Sequence, residues 1–426
     1  MPSVPSGGKD SDSILKGHFH AQMQASLFNG EDATSKILAF KTKAPKPAEA
    51  HTNNLRVLYS SNKETSAAAV AAAAAAKRAF RHISTKADRI LDAPGLVDDY
   101  YLNLMEWGPH NLLAIALGST VYLWNGDSGD CTPLFTSAAE NDQITSVSWM
   151  QDGSHLAVGT AHNNDVQMWN VANQKQVRSL KGHSARVGSL AWNQHILSSG
   201  SKDASIFHHD VRMPAHHVAT LVGHTQEVCG LKWSPDGTQL ASGGNDNTCA
   251  IWDVQHATPK YTFTESCAAV KALAWCPWQR NLLATGSGTA DRHMRFYNTA
   301  QGTLLNSIDT QSQVCGLVWS KTEKEILSAH GFKQNQLTLW KYPTCAKMAD
   351  LVGHQSRVLH TAISPDGTTV VSAAADETLR FWKCWDSNKS AATTGGSMAA
   401  GSSVTVSTKN GKIEMPSTIS SSRFIR

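Results

Sequence analysis

The chain has 426 residues, of which 17% are charged, and its formal net charge is only +4. Because no acidic or basic block dominates, the composition gives no support for a nucleic-acid or membrane-surface partner. The eight cysteines form no C-x-x-C pair, which argues against a zinc site or a compact disulfide framework and favours a reducing compartment, the cytoplasm or the nucleus.

Residues 1–87 predict a disordered arm, because they are rich in Ser, Ala, Lys and Pro and show no sustained hydrophobic period. They also lack the basic start and apolar run of a signal peptide. One apolar island, Lys36–Phe40 (KILAF), stands in this polar tract, and short segments of this kind often dock on a partner protein. On the residues alone, an incidental cluster explains the island equally well.

Residues 88–385 contain an internal repeat, in which a short apolar strand ends at an equivalent position seven times, at intervals of 40 to 45 residues. The residues at this closing position are Trp124, Trp169, His209, Trp252, Tyr297, Trp340 and Trp382. A period in the low forties that closes on Trp-Asp or a similar pair is typical of a four-stranded propeller blade. We therefore predict an all-β fold, a seven-bladed WD-repeat β-propeller. The Ser/Thr/Gly-rich residues 386–426 that follow predict a disordered tail.

Two kinds of element within the repeat are predicted in more detail. The runs Val228–Trp233 and Val314–Trp319 alternate in polarity and predict half-buried strands. The segments Ser234–Gly237 and Ser364–Gly367 both consist of Ser-Pro-Asp-Gly. This is a tight-turn sequence, since Pro restricts φ and Gly permits a positive φ.

A set of Ser, His and Asp residues recurs in three blades. The sets with equal spacing are His224, Ser242, Asp246 and Trp252 in the fourth blade and His354, Ser372, Asp376 and Trp382 in the seventh. The third blade has His183, Ser199 and Asp203, with His209 in place of the Trp. A triad repeated in several blades indicates a structural hydrogen-bond relay, in which Asp holds His and His reaches Ser and then the indole. We interpret these residues as structural rather than catalytic.

The doublets His208-His209 and His216-His217 raise the question of a metal site. We expect the first pair to end a strand, with its side chains on opposite faces, and the second pair to lie in a turn. No cysteine or carboxylate cluster accompanies them at ligand spacing. Phosphate-binding loops and nucleophile elbows are also missing from the sequence. We therefore predict no metal, no cofactor and no enzymatic activity.

Several longer segments carry more information than the repeat. They are ADRILDAPGLVDDYYLNLMEW (87–107), HHVATLVGHTQEVCGLKWSPDG (216–237), GTADRH (288–293) and SAAADETLRFW (372–382). On these segments the chain resembles the Fizzy-type WD-repeat coactivators of the anaphase-promoting complex, closest to their cell-division-cycle branch. The resemblance implies a substrate-recognition adaptor and activator of that ubiquitin ligase. Its implied partners are tetratricopeptide-repeat subunits of the ligase, degron-bearing substrates such as cyclins and securin, and spindle-checkpoint proteins.

The resemblance also implies two degron sites. The Arg of an R-x-x-L degron (destruction box) would lie between Asp92 and Glu377, where two carboxylates facing one guanidinium make a charge-assisted site. A K-E-N degron would bind on the top face, over the central channel. The matching residues there are Asp99, Asn245, Asn247, Thr289, Gln313 and Arg357. Asp99 would pair with the degron Lys, Arg357 with its Glu, and the amides with its Asn.

Three further expectations concern the ends of the chain. Ile425 and Arg426 match the family's Ile-Arg tail, which docks on the ligase, and Lys36, Ile37, Leu38 and Phe40 match the segment that binds a checkpoint protein. A C-box, D-R-[FY]-I-P-x-R, has no match in residues 1–35. The alternative function is therefore a divergent paralogue that acts as a degron- or checkpoint-binding scaffold without full ligase activation.

The limits of the repeat make one topological prediction. The last blade stops at Trp382, whereas a matched segment that starts at Asp88 precedes the first full unit. We expect this N-terminal segment to complete the final blade. That closure would place Asp92 beside Glu377.

Overall fold

The computed structural model describes residues 81–137, 142–332 and 334–386. Within these ranges the regular secondary structure consists of 28 strands, arranged as seven four-stranded sheets. The predicted all-β, seven-bladed propeller is therefore confirmed. No helix that could span a bilayer occurs in this part of the chain. Residues 1–80 and 387–426, which hold nearly all of the predicted arm and tail, lie outside the described residues.

The first four blades follow the chain in order, with four strands each. Blade 1 has β2 (Met105–Trp107), β3 (Leu112–Leu117), β4 (Thr120–Asn125) and β5 (Cys131–Thr136). Blade 2 has β6 (Ile144–Trp149), β7 (His155–Thr160), β8 (Val166–Asn170) and β9 (Lys175–Leu180). Blade 3 has β10 (Val187–Asn193), β11 (Ile196–Ser201), β12 (Ser205–Asp210) and β13 (His217–Val222). Blade 4 has β14 (Val228–Trp233), β15 (Gln239–Gly244), β16 (Cys249–Asp253) and β17 (Pro259–Phe263).

The remaining three blades include the one that closes the ring. Blade 5 has β18 (Val270–Trp275), β19 (Leu282–Ser287), β20 (His293–Asn298) and β21 (Thr303–Asp309). Blade 6 has β22 (Val314–Trp319), β23 (Glu325–His330), β24 (Leu337–Lys341) and β25 (Ala346–Leu351). Blade 7 has β26 (Val358–Ile363), β27 (Thr369–Ala374) and β28 (Thr378–Lys383), together with β1 (Arg89–Asp92).

The first strand of each blade is its inner strand, and it lies against the inner strands of the neighbouring blades around the central channel. Strands β6 and β18 are buried at every position, whereas the outer strand β21 is exposed at all but one. Strands β14 and β22 are mostly buried on both faces, so the prediction of half-buried strands there was wrong. The adjacent blades cover both faces of an inner strand.

The two Ser-Pro-Asp-Gly segments form tight turns, as predicted. The amide of Gly237 donates to the carbonyl of Ser234 at 2.8 Å, and the amide of Gly367 donates to Ser364 at 2.9 Å. Both glycines have a positive φ, 67° and 76°, a conformation that side chains with a Cβ rarely adopt.

Ring closure follows the predicted topology. Strand β1 pairs antiparallel with β28, so the N-terminal segment supplies the outer strand of the last blade. In this register Leu91 lies opposite Leu379 and Asp92 lies opposite Thr378. The propeller is thereby closed by strand pairing between the two ends of the described chain.

Candidate functional sites on the side and top of the propeller

The recurring Ser-His-Asp sets form buried structural relays. In blade 4, His224 Nδ1 lies 3.0 Å from Asp246, its Nε2 lies 2.7 Å from Ser242 Oγ, and the indole of Trp252 donates to the same hydroxyl at 2.7 Å. Blade 7 repeats these contacts with His354, Asp376, Ser372 and Trp382. Each serine hydroxyl is buried between an imidazole and an indole. The predicted hydrogen-bond relay of these sets is confirmed.

Blade 3 builds the same relay from histidines. Ser199 Oγ lies 2.8 Å from His183 Nε2 and 3.0 Å from His209 Nε2, so His209 occupies the place of the indole. Its Nδ1 lies 3.0 Å from Nδ1 of His216. Burial, followed by the charges of neighbouring histidines, lowers the pKa of His209 to about 3. The relay thus continues to a second imidazole.

One expectation about the histidine doublets was wrong. His217 is the first residue of β13, so only His216 lies in the turn. The doublets are also in contact, through His209 and His216. Among the described residues, no group of three or more His, Cys, Asp or Glu side chains is arranged to hold a metal ion.

On the side of the propeller, Asp92 and Glu377 lie where β1 meets the turn before β28. The amide of Ala93 donates to the carbonyl of Glu377 at 2.7 Å, and the amide of Gly95 donates to its carboxylate at 3.2 Å. Both acidic residues are exposed, and neither forms an ion pair with a described Lys or Arg. The predicted juxtaposition of these two residues is present. The arrangement offers two carboxylates to a cation.

On the top face, where the inner strands begin, a cavity of about 610 Å³ lies over the channel. Five of the six residues predicted to bind a K-E-N degron line it: Asp99, Asn245, Thr289, Gln313 and Arg357. The sixth, Asn247, is not among the lining residues and has a positive φ of 65° in a turn. The loops of several blades therefore converge on one concave site.

The charged residues of the top cavity are already paired. Arg186 donates to Asp99 at 2.8 Å and to both carboxylate oxygens of Glu227 at 2.8 and 3.0 Å. Arg357 donates through Nε to the carboxylate of Asp98 and through Nη2 to its backbone carbonyl at 3.0 Å. A charged ligand would therefore join or displace existing ion pairs rather than meet isolated charges.

The sequence analysis did not identify Arg186, Glu227 and Asp98 as residues of the top site. The positions of Arg186 and Glu227 in the repeat could have indicated them. Arg186, Glu227 and Arg357 each stand three residues after the relay histidine and directly before an inner strand. Three residues directly before inner strands, Ala269, Gln313 and Arg357, line the top cavity. Asp98 carries no such positional signal, because it lies in the segment before blade 1.

Gln313 provides the least satisfied group in the top cavity. Its residue is 5% exposed, and Oε1 has no hydrogen-bond partner among the described residues. A buried carbonyl of this kind favours a ligand that brings an N–H donor. Nearby, the hydroxyl of Tyr101 donates to Asn245 Oδ1 at 2.8 Å, which fixes the orientation of that amide.

Comparison with known proteins places the propeller in a well-populated group. A family model described as the CDC20/Fizzy WD40 domain matches residues 91–382. The chain is 57% identical over 362 residues to the anaphase-promoting complex subunit cdc20 of Dictyostelium discoideum, covering 84% of this chain and 72% of that protein. It is 53% identical over 355 residues to cell division cycle 20.1, cofactor of APC complex, of Arabidopsis thaliana, covering 82% and 75%.

A solved structure shows the same fold. A chain in the crystal structure of a mitotic checkpoint complex is 50% identical in sequence and superposes with a TM-score of 0.70. The match covers 72% of this chain and 98% of that one.

Proposed function

The chain belongs to the CDC20/Fizzy family of WD40 proteins, and from this membership we propose that it is a substrate-recognition adaptor and activator of the anaphase-promoting complex. The observation that carries the proposal is the identity above 50%, over more than four fifths of the chain, to proteins named as subunits or cofactors of that complex. The proposed role requires no reaction at the chain itself.

The side site is proposed to bind the Arg of a destruction box. Two exposed carboxylates have no described cationic partner: Asp92, which ends β1, and Glu377, in the turn before β28. A planar guanidinium can bridge two such groups, whereas a Lys ammonium has no fork of donors. This geometry supports a preference for Arg at the first degron position.

The top cavity is proposed to bind a K-E-N degron. The unpartnered carbonyl of Gln313 suits the amide N–H of a degron Asn. Arg357 is paired with the exposed Asp98 and lies 5.2 Å from the ring centroid of Phe332. A degron Glu would therefore compete with a carboxylate that water already screens. Asp99 lies beside Arg186 and suits a degron Lys less well, since its charge is shared with that guanidinium.

A reconstituted ubiquitination assay tests the proposed activity. Ligase core without another coactivator is given a substrate with a destruction box, in the presence or absence of this chain. We expect ubiquitin transfer to rise when the chain is added and to stay at background when the substrate's R-x-x-L is changed to alanines. No stimulation, with degron binding also absent, would contradict the proposal.

The second candidate is a scaffold that binds degrons or checkpoint proteins without full activation, which the lack of a C-box match in residues 1–35 favours. In the same assay a scaffold would bind the degron but fail to stimulate transfer, or would inhibit a coactivator added in competition. Degron binding measured in parallel therefore separates the two candidates.

Several expectations lie outside the described residues and stay predictions. They are checkpoint-protein binding by Lys36, Ile37, Leu38 and Phe40, and ligase docking by Ile425 and Arg426. The choice of cyclins and securin as substrates and a location in cytoplasm and nucleus are proposals of the same standing. Co-purification of the ligase with and without Ile425-Arg426 tests the docking.

A further inference from the structure

A second cavity, here called the lower cavity, occupies the other end of the central channel and has a volume of about 390 Å³. Its walls reach the last residues of inner strands, including Trp233, Trp275 and Trp319. The top cavity is lined instead by residues that precede inner strands, such as Gln313 and Arg357. The top cavity therefore lies beyond the first residues of the inner strands, whereas the lower one extends along these strands to their last residues. The lower cavity contains none of the proposed degron-binding residues.

Lys271 of β18 places a buried ammonium in the lower cavity. The residue is 5% exposed, donates to the carbonyl of Leu359 at 3.0 Å and lies 5.4 Å from the ring centroid of Tyr100. Burial lowers the pKa of Lys271 to about 8, so the ammonium is still mostly charged at neutral pH. No described carboxylate forms an ion pair with it. A buried charge without a counter-charge is unfavourable, and a bound anion would remove that penalty.

His360 of β26 adds a second polar group to the same cavity. It is 5% exposed, and its Nε2 has no hydrogen-bond partner among the described residues. Burial, followed by the charge of Lys271, holds the pKa of His360 well below its ordinary value. The imidazole is therefore neutral, and an N–H at Nε2 would be a donor without an acceptor.

The other ionisable residues that line the cavity leave it with an excess of positive charge. They are Lys232, Lys321 and Glu106. Glu106 is engaged by the amide of Trp149 at 2.6 Å and lies 3.7 Å from Lys232. Lys321 donates to the carbonyl of Pro365 at 2.9 Å. With three lysines against one glutamate, the lower cavity favours anions over cations.

We propose that the lower cavity binds an oxyanion, a phosphate or carboxylate group carried by a small molecule, between Lys271 Nζ and His360 Nε2. Lys271 has N–H donors beyond the one used by Leu359, and His360 offers the unpartnered atom. Both groups are fixed by burial, so little side-chain entropy is lost when an anion binds. The proposed degron-binding residues do not line this cavity. The charges of Asp99 and Arg357 nevertheless act on Lys271, and Tyr100, which lies beside Lys271, lines the top cavity.

Isothermal titration calorimetry of the full chain tests the proposal, with inorganic phosphate and acetate as separate arms at ionic strength matched with chloride. We expect saturable binding of at least one of the two anions. Binding of phosphate alone identifies phosphate esters as ligands, and binding of acetate alone identifies carboxylates. No saturable binding of either anion up to about 10 mM would overturn the proposal.

Two variants and one control assign the binding to this cavity. Lys271→Met is expected to weaken binding at least about tenfold, since it removes the charge. His360→Leu, which keeps the charge, is expected to weaken it by roughly fivefold through loss of one hydrogen bond. Lys175→Met, at an exposed residue on the outer strand of blade 2, should bind like the wild type. Unchanged affinity in His360→Leu would overturn the assignment even if Lys271→Met does not fold.

Discussion

At the scale of single residues, Asp92 and Glu377 are both exposed, and the backbone holds them next to each other. Asp92 ends β1, and Glu377 precedes β28 with a positive φ of 56°, held through its carbonyl by Ala93 and through its carboxylate by Gly95. Their positions are therefore set by the backbone rather than by flexible loops. A guanidinium bound there would need little rearrangement of the protein.

We expect Asp92→Asn combined with Glu377→Gln to weaken binding of an R-x-x-L peptide roughly a hundredfold, because both charges are lost while the Gly95 hydrogen bond is kept. Fluorescence anisotropy with a labelled peptide measures the affinity. Asp309→Asn combined with Glu323→Gln removes two exposed carboxylates on other blades and serves as the matched control. Equal affinity of the two double variants would exclude a role of Asp92 and Glu377.

At the scale of the element, blades 3, 4 and 7 each contain a relay, and the relay of blade 3 differs from the other two in chemistry. An indole N–H can only donate, so Trp252 does not titrate. An imidazole in the same position can be protonated, as His209 can. Blade 3 is therefore sensitive to acid in a way that blade 4 is not.

The sign of this effect follows from the lowered pKa of His209. Its folded pKa, about 3, lies below the ordinary value of 6.5, so the unfolded chain binds the proton first. Stability from neutral His209 is present above pH 6.5 and is lost as the pH falls towards 3. At pH 5.5 we expect a loss of about 1 kcal/mol from this residue.

Urea unfolding at pH 7.5 and 5.5 measures that loss. His209→Trp, which restores an indole opposite Ser199, is expected to shrink the difference in unfolding free energy between the two pH values by about 1 kcal/mol. His162→Gln, at an exposed histidine of blade 2, should leave the difference unchanged. An equal difference in wild type and His209→Trp would argue against titration of His209 as its source.

The elements also show where local sequence patterns mislead. Alternation in Val228–Trp233 predicted one exposed face, yet the neighbouring blades bury both faces. The prediction that this segment forms a β-strand was correct, because strand formation depends on residues near one another in the sequence. Its burial depends on blades that are more distant in the sequence.

At the scale of the whole molecule, the strand that closes the ring contributes both to the stability of the propeller and to the site formed by Asp92 and Glu377. Strand β1 is the outer strand of blade 7 and also carries Asp92. Leu91 packs against the core that blades 1, 2 and 7 share, whereas the adjacent Ile90 is 50% exposed. A substitution at Leu91 therefore disturbs the packing of β1 on the core, whereas the same substitution at Ile90 leaves that packing intact.

We expect Leu91→Asp to destabilise the propeller by about 2–3 kcal/mol and to weaken R-x-x-L binding, because a carboxylate in the core releases β1 and displaces Asp92. Ile90→Asp, on the exposed face, is the matched control and should change the free energy of unfolding by less than about 0.5 kcal/mol. Urea unfolding and peptide anisotropy provide the two measurements. Normal peptide binding by a destabilised Leu91→Asp protein would separate the site from ring closure.

The sequence by itself determined the seven repeats, the tight turns, the relays of blades 3, 4 and 7 and the strand that closes the ring. Each depends on residues within one blade or on a period that all blades share. Only the tertiary structure decided which side chains meet between blades. It placed Arg186 between Asp99 and Glu227, and it buried Lys271 beside His360 in the channel. Such contacts follow from the angle and spacing of blades around the ring, which no local pattern encodes.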